Sequence, residues 1–161
     1  MRITLLIVYL FISAQTRAAD KLLFEKRDKV EALLGAPVHQ VERARASLPT
    51  MDVQRFSKDG REYVIYFEAD RADRVIVSKQ DGTTFTDHEI AELLLSNKSF
   101  NDWSQWKLPN RRAWVSGGKI GPFYALVSSS GRSLELITDG YLRDLATHVW
   151  LDSTEPEAER P

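Results

Sequence analysis

The sequence predicts an α+β domain with a mostly antiparallel sheet of about six strands, built from two helix-strand-strand-strand units with the helices packed on one face. Two observations predict this class. The apolar helical stripe that ends at Leu34 recurs 60 positions later and ends at Leu94. Each stripe is followed by short alternating segments that glycine turns separate. One helix on three strands buries little surface alone, so two units, residues 20–82 and 83–140, are expected to share a core.

The first unit begins with an amphipathic helix. Its apolar residues recur at helical spacing, with charged residues on the other side: Leu22, Leu23, Val30, Leu33 and Leu34. Gly35 is placed to end the helix, and Pro37 prevents its continuation. The segment from residue 38 to residue 50 is interpreted as a loop or a short helix.

Three strands are predicted after this segment. The first, MDVQRF, is followed by Asp59-Gly60, a strong hairpin signal. The second, REYVIYFEA, places Tyr63, Ile65 and Phe67 on one face. The segment ADRAD turns the chain, and RVIVSK completes an antiparallel meander.

The second unit repeats this order. Thr86 is the expected N-cap of its helix, and Glu89 lies three residues later, at the spacing of a capping box. The segments RRAWVSG, GPFYALVSS and SLELIT are the expected strands. A short helix is predicted from about Tyr141, and residues 152–161 are predicted to be a disordered tail because they are polar and contain proline.

The first 18 residues have the order of a secretory signal peptide. Arg2 precedes an apolar run of 12 residues, and Ala18 is a small residue before the expected cleavage site. Cleavage would leave one domain, residues 19–151, and the tail, with 20 basic and 23 acidic residues in total. We therefore expect an exported protein, periplasmic or secreted, with no membrane anchor after cleavage. A net charge of −3 argues against a nucleic-acid partner.

The pattern resembles known exported families. KVEALLGAPVHQV followed by DGREYVIYFEADRADRVIVSK resembles the outer-membrane-assembly lipoproteins of the SmpA/OmlA type. Tandem use of the unit is similar to the β-lactamase-inhibitor protein fold, and the whole chain is similar to exported bacterial proteins with no assigned activity. The chain contains no cysteine, so the lipid anchor of the first family and the disulfides of the second are excluded. The resemblance implies a non-enzymatic binding or scaffolding module.

The segment WSQWKLPNRRAW, residues 103–114, is the candidate binding site because it interleaves tryptophans with basic residues. The candidate residues are Trp103, Trp106, Lys107, Arg111 and Arg112. Aromatic faces and guanidinium groups together bind sugars, anionic polymers or partner chains. In the alternative interpretation the tryptophans, above all Trp114, pack in the core and the arginines form a solvated edge.

The sequence contains no recognisable catalytic motif. The three histidines lie far apart, so no metal site is expected, and no G-x-S-x-G or phosphate-loop pattern occurs. SSSGRS, residues 128–133, is interpreted as a hairpin turn. We expect no cofactor. The predicted function is that of an exported binding or accessory protein of the bacterial cell envelope, whose partner is an envelope protein or glycan. A small secreted hydrolase acting on cell-wall or polysaccharide material is the alternative.

Overall fold

The computed structural model describes residues 21–41, 51–97, 103–108, 111–117 and 121–143. The predicted signal peptide and the predicted C-terminal tail lie outside the described residues. Two helices are α1 (Arg27–Leu34) and α2 (Asp87–Ser96), and residues 139–143 are also helical. The strands are β1 (His39–Val41), β2 (Asp52–Lys58), β3 (Arg61–Glu68), β4 (Arg71–Lys79), β5 (Ser104–Leu108), β6 (Arg111–Ser116), β7 (Phe123–Val127) and β8 (Ser133–Thr138).

The described strands form a single antiparallel sheet with the order β1-β2-β3-β4-β8-β7-β6-β5. Each half of the chain contributes a helix and then a meander of four strands, and the last strands of the two meanders, β4 and β8, pair with each other. Val75 lies opposite Leu136 in this central pair. The α+β class and the antiparallel sheet are therefore confirmed, whereas the internal repeat stays a prediction.

The expected number of about six strands is wrong, because the described residues alone form eight, of which seven contain five or more residues. The two additional strands, β1 and β5, are the two edges of the sheet. β1 falls in the segment interpreted as a loop or short helix, and β5 falls in the connection after α2. An edge strand pairs on one side only, so it can form without the alternating apolar pattern that identifies an inner strand.

One face of the sheet, the helix face, carries the main core. Tyr63, Ile65 and Phe67 are buried there, as the alternation in β3 predicts. The buried residues of both helices join this core: Val30, Leu34, Ile90, Leu93 and Leu94. Both described helices therefore cover the same face, as the sequence indicates.

The opposite face, called the second face below, is covered in part by residues 139–143. Tyr141 packs there with Met51 and Ile137 in a smaller apolar cluster. The Tyr141 hydroxyl accepts a hydrogen bond of 2.6 Å from Arg74, and burial raises the pKa of this tyrosine. The predicted helix near Tyr141 is thus confirmed, and it lies on the face opposite the two unit helices.

The first helix begins at Arg27, later than its apolar pattern suggests. Leu22 and Leu23 are buried, but they lie in the segment before the helix, where Phe24 adopts a φ of 67°. The backbone N–H groups of Leu22 and Leu23 donate to the Oδ1 atom of Asn97, at 2.9 and 3.2 Å. The Nδ2 atom of Asn97 donates to the Leu93 carbonyl at 3.0 Å, so this side chain joins the N-terminal segment to the end of α2.

The start of α2 has the predicted capping box. The Glu89 backbone N–H donates to the Thr86 hydroxyl, and the Thr86 backbone N–H donates to the Glu89 carboxylate at 2.8 Å. Lys79 donates to the same carboxylate at 3.0 Å. These hydrogen bonds lower the pKa of Glu89 from 4.5 to about 2, and the bond from the Thr86 backbone has the largest effect.

This lowered pKa predicts a specific acid dependence of stability. The contribution of the Glu89 carboxylate is fully present above its unfolded pKa near 4.5 and is lost as the pH falls towards about 2. Replacing Glu89 with glutamine should therefore destabilise the protein at pH 6, and the difference from the wild type should shrink towards pH 2. Urea unfolding across this range measures it, with Glu92→Gln, a more exposed carboxylate of the same helix, as the control. A difference that does not change with pH would contradict the assignment.

Candidate functional site

The candidate site occupies the β5–β6 pair at one edge of the sheet. β5 is the edge strand, and its register places Trp106 opposite Ala113 and Lys107 opposite Arg112. Since neighbouring residues of a strand point to opposite faces, Trp106 and Lys107 lie on different sides of the sheet. The side chains that sequence proximity suggested as one site are therefore divided between two faces.

Trp103 belongs to the protein interior rather than to an exposed surface. It is half-buried, packs against the main core, and donates a hydrogen bond of 2.7 Å from Nε1 to the Leu94 carbonyl near the end of α2. This bond satisfies one of the carbonyls that a helix end leaves without an internal partner. Trp114 is also half-buried and packs against the same core, as the core interpretation of this residue requires.

Trp106 lies on the second face and is 43% exposed. Its ring centroid is 5.8 Å from that of Tyr124, two strands away on β7. Val115 is in register with Tyr124 on this face and is half-buried. We call Trp106, Val115 and Tyr124 the aromatic patch. Trp106 was predicted as a binding residue. Tyr124 was not predicted, because only the pairing of β5, β6 and β7 brings it beside Trp106.

Arg111 and Arg112 belong to a pocket at the start of β6; Arg112 lies on the helix face, whereas Arg111, in register with Leu108, lies on the face of Trp106. The pocket has a volume of about 320 Å³ and is formed by residues 84–85, 111–112 and 127–131. Arg112 forms an ion pair with Asp87, the first residue of α2. Arg111 is exposed, and no ion pair joins it to another described residue. Lys107 is exposed beside Arg112 in the register of the two strands.

A hydrogen-bonded turn forms part of the pocket lining. The Gly131 N–H donates to the Ser128 carbonyl at 2.9 Å, and the Phe85 N–H donates to the Gly131 carbonyl at 2.9 Å. The Ser128 hydroxyl accepts from the Ser133 N–H at 3.1 Å and lies 3.1 Å from the Ser130 hydroxyl. The sequence indicated a hairpin turn here, which is correct, but the strands also place its serines beside the two arginines.

Within the described part of the chain, no group of three or more histidine, aspartate or glutamate side chains is arranged to hold a metal ion. No described helix is both long and apolar enough to cross a membrane. The described residues that line the pocket include serines, a threonine and two arginines but no aspartate or glutamate.

Comparison with known proteins gives only distant similarity. No family model matches the chain, and no curated protein matches its sequence. A cysteine-rich secretory protein from Staphylococcus aureus subsp. aureus Mu50 is 12% identical with a TM-score of 0.43, over 75% of this chain and 46% of that one. An extracellular protein containing a SCP domain, from Bacillus anthracis str. Ames, is 8% identical with a TM-score of 0.45, over 78% and 48%. This chain therefore spans about half the length of either protein.

Proposed function

We propose that the chain is an exported, non-catalytic binding module of the bacterial cell envelope and that it binds an envelope glycan through the aromatic patch. Export is supported by the order of charge, apolar run and small residues in residues 1–18. The observation that carries the binding function is the exposure of Trp106 beside Tyr124 on the second face.

The exposure of Trp106 supports binding because the other tryptophans that the structure describes pack against the core. Trp103 and Trp114 contact the main core, whereas Trp106 keeps 43% of its surface in solvent. Exposed aromatic side chains cost hydrophobic free energy that burial against a ligand recovers. The aromatic patch therefore has the composition of a recognition surface, which combines apolar contact area with a polar edge.

The size and surroundings of the patch favour a glycan over a protein partner. A standard protein interface buries about 800 Å² on each partner and uses about 20 residues or more, which is far larger than three neighbouring side chains. Ser104 lies in register with Val115, so a hydroxyl adjoins the apolar surface. A sugar ring presents C–H groups on its face and hydroxyls at its rim, and an aromatic ring with nearby hydrogen-bonding groups is complementary to it.

The hydrolase alternative requires a pair of carboxyl groups about 5–10 Å apart on either side of the scissile bond. The pocket at Arg111 supplies none. On the second face, Glu135 lies in register with Leu126, and it is held in an ion pair with Arg74. These observations favour binding over hydrolysis.

The binding proposal predicts that Trp106→Ala weakens glycan binding about tenfold, which corresponds to about 1.4 kcal/mol. Residues 19–161 would be co-sedimented with purified peptidoglycan sacculi and with envelope polysaccharide. Leu95→Ala is the matched control, because Leu95 is another exposed apolar side chain, 67% exposed on α2, and its loss should leave binding unchanged. Equal binding by the Trp106 variant would refute the assignment of the patch. Release of soluble reducing sugar by the wild type would support the hydrolase instead.

A further inference from the structure

We propose that the glycan bound at the aromatic patch is acidic and that Arg111 is the residue that selects it. In this arrangement Arg111 binds a carboxylate or phosphate group of the glycan while Trp106 contacts a sugar ring. The inference rests on the proposed function, because it names the class of ligand for the same surface. It adds one specificity-determining residue to the aromatic patch.

Arg111 lies on the second face, diagonally across the β5–β6 pair from Trp106. Ala113 is opposite Trp106, and Arg111 is two residues before Ala113 on β6. Residues two apart on a strand share a face. Diagonal neighbours on two antiparallel strands are about 7–8 Å apart, which is within the reach of long side chains. Arg111 and Trp106 can therefore contact one ligand.

The β2–β3 pair shows that an arginine spans such a diagonal. Arg55 is opposite Val64, and its Nε atom lies 3.0 Å from the carboxylate of Glu62, two residues before Val64. In both strand pairs two residues separate the strands, so this arginine and its partner are equivalent in position to Trp106 and Arg111. The Arg111 guanidinium can thus reach a ligand that contacts the Trp106 ring.

The charge of Arg111 has no ion-pair partner among the described residues, and its side chain is exposed. Other arginines of the second face are paired: Arg55 with Glu62, and Arg74 with Glu135. The carboxylate of Glu135, on the strand after β7, is therefore already balanced by a guanidinium group. Arg111 remains available to an acidic group of a ligand.

The part of the chain that carries the patch is basic, although the chain as a whole is not. Residues 103–134, which include β5, β6 and β7, contain five basic residues and no acidic one. The rest of the chain after residue 18 contains 15 basic and 23 acidic residues. Since like charges across an interface oppose binding, this segment is the part of the chain best suited to an acidic partner.

Arginine is well suited to select an acidic sugar. Its planar guanidinium group binds a carboxylate or a phosphate through two parallel, charge-assisted hydrogen bonds. A neutral ester of the same sugar keeps the apolar faces that an aromatic ring contacts but loses the charge. The two parts of the site therefore make separable contributions: Trp106 binds the sugar ring, and Arg111 distinguishes the acidic from the neutral form.

Isothermal titration calorimetry of residues 19–161 tests this with two pairs of glycans, in which the members of each pair differ in charge. The first pair is an oligogalacturonate and its methyl ester, and the second is a phosphorylated dextran oligosaccharide and the unmodified oligosaccharide. We expect the acidic member of at least one pair to bind about tenfold more tightly than the neutral member. A preference confined to one pair identifies the acidic group as a carboxylate or as a phosphate.

Three variants assign the preference to its residue. Arg111→Gln should bring the two affinities of a pair to within about twofold of each other. Arg55→Gln is the matched control, because it removes the same charge from the same face, and it should keep the preference for the acidic member. Trp106→Ala should weaken binding of both members of a pair and leave their ratio unchanged.

The outcomes separate this inference from the glycan proposal. Binding that Trp106→Ala weakens but that shows no preference for an acidic member would overturn the role of Arg111 and leave the glycan proposal in place. An acidic preference that Arg111→Gln retains would have the same meaning. The absence of binding by all four glycans at millimolar concentration would overturn both proposals, as would binding that Trp106→Ala leaves unchanged.

Discussion

Replacing Asn97 with alanine is expected to lower the free energy of unfolding by about 3 kcal/mol, because it leaves buried backbone donors without an acceptor. Asn97 is 2% exposed, and its Oδ1 atom accepts from the backbone of Leu22 and Leu23, both of which are buried. An unpaired buried N–H group costs about 1–3 kcal/mol, and two are created together. Urea unfolding of residues 19–161 measures the loss.

Ser96→Ala is the matched control for this prediction. The Ser96 hydroxyl donates to the Leu93 carbonyl at 2.9 Å, but the side chain is only half-buried, so its loss should cost about 1 kcal/mol or less. Similar losses in the two variants would mean that Asn97 does not anchor the N-terminal segment.

Leu93→Ala is the second large effect, with an expected loss of about 2–5 kcal/mol from the removed side chain and the cavity that remains. Leu93 is 1% exposed in the main core. Its counterpart 60 positions earlier, Leu33, is half-buried at the edge of that core, so Leu33→Ala should cost about 1–2 kcal/mol.

Denaturant unfolding of both leucine variants tests this difference. The sequence pattern alone treats the two positions as equivalent, and equal losses would contradict the packing described above. A loss close to zero at Leu93 would show that α2 is not a core helix.

The inner parts of the fold could be predicted from the sequence because their signals are local. The alternation of Tyr63, Ile65 and Phe67 identifies β3, and the spacing of Thr86 and Glu89 marks the start of α2. The edge strands could not be predicted, since β5 is largely exposed and its sequence SQWKL has no buried alternation. The start of α1 was also missed, because Leu22 and Leu23 have helical spacing but join the core from the segment before the helix, where their backbone N–H groups donate to Asn97.

The candidate site was predicted in part. Trp106 and Arg111 were selected by composition, and both are exposed. The register of β5 and β6 places both of them on one face and Lys107 and Arg112 on the other, and local sequence does not encode this register. Tyr124 reaches Trp106 only through the sheet, and the serine turn reaches Arg111 only because β6 and β7 are neighbours. Such contacts join distant segments, so only the folded chain reveals them.

The most direct test of the binding module is the response of the tryptophan indole N–H signals to a soluble envelope glycan. In 15N-labelled protein, the Trp106 signal should shift during titration, since its ring is exposed on the second face. The Trp103 signal should stay in place, because its indole N–H donates to the Leu94 carbonyl. The predicted result is a shift of the Trp106 indole signal and of the backbone amide signals of residues next to Tyr124, with the Trp103 indole signal unchanged. Saturating glycan that leaves the Trp106 signal unchanged would contradict the account.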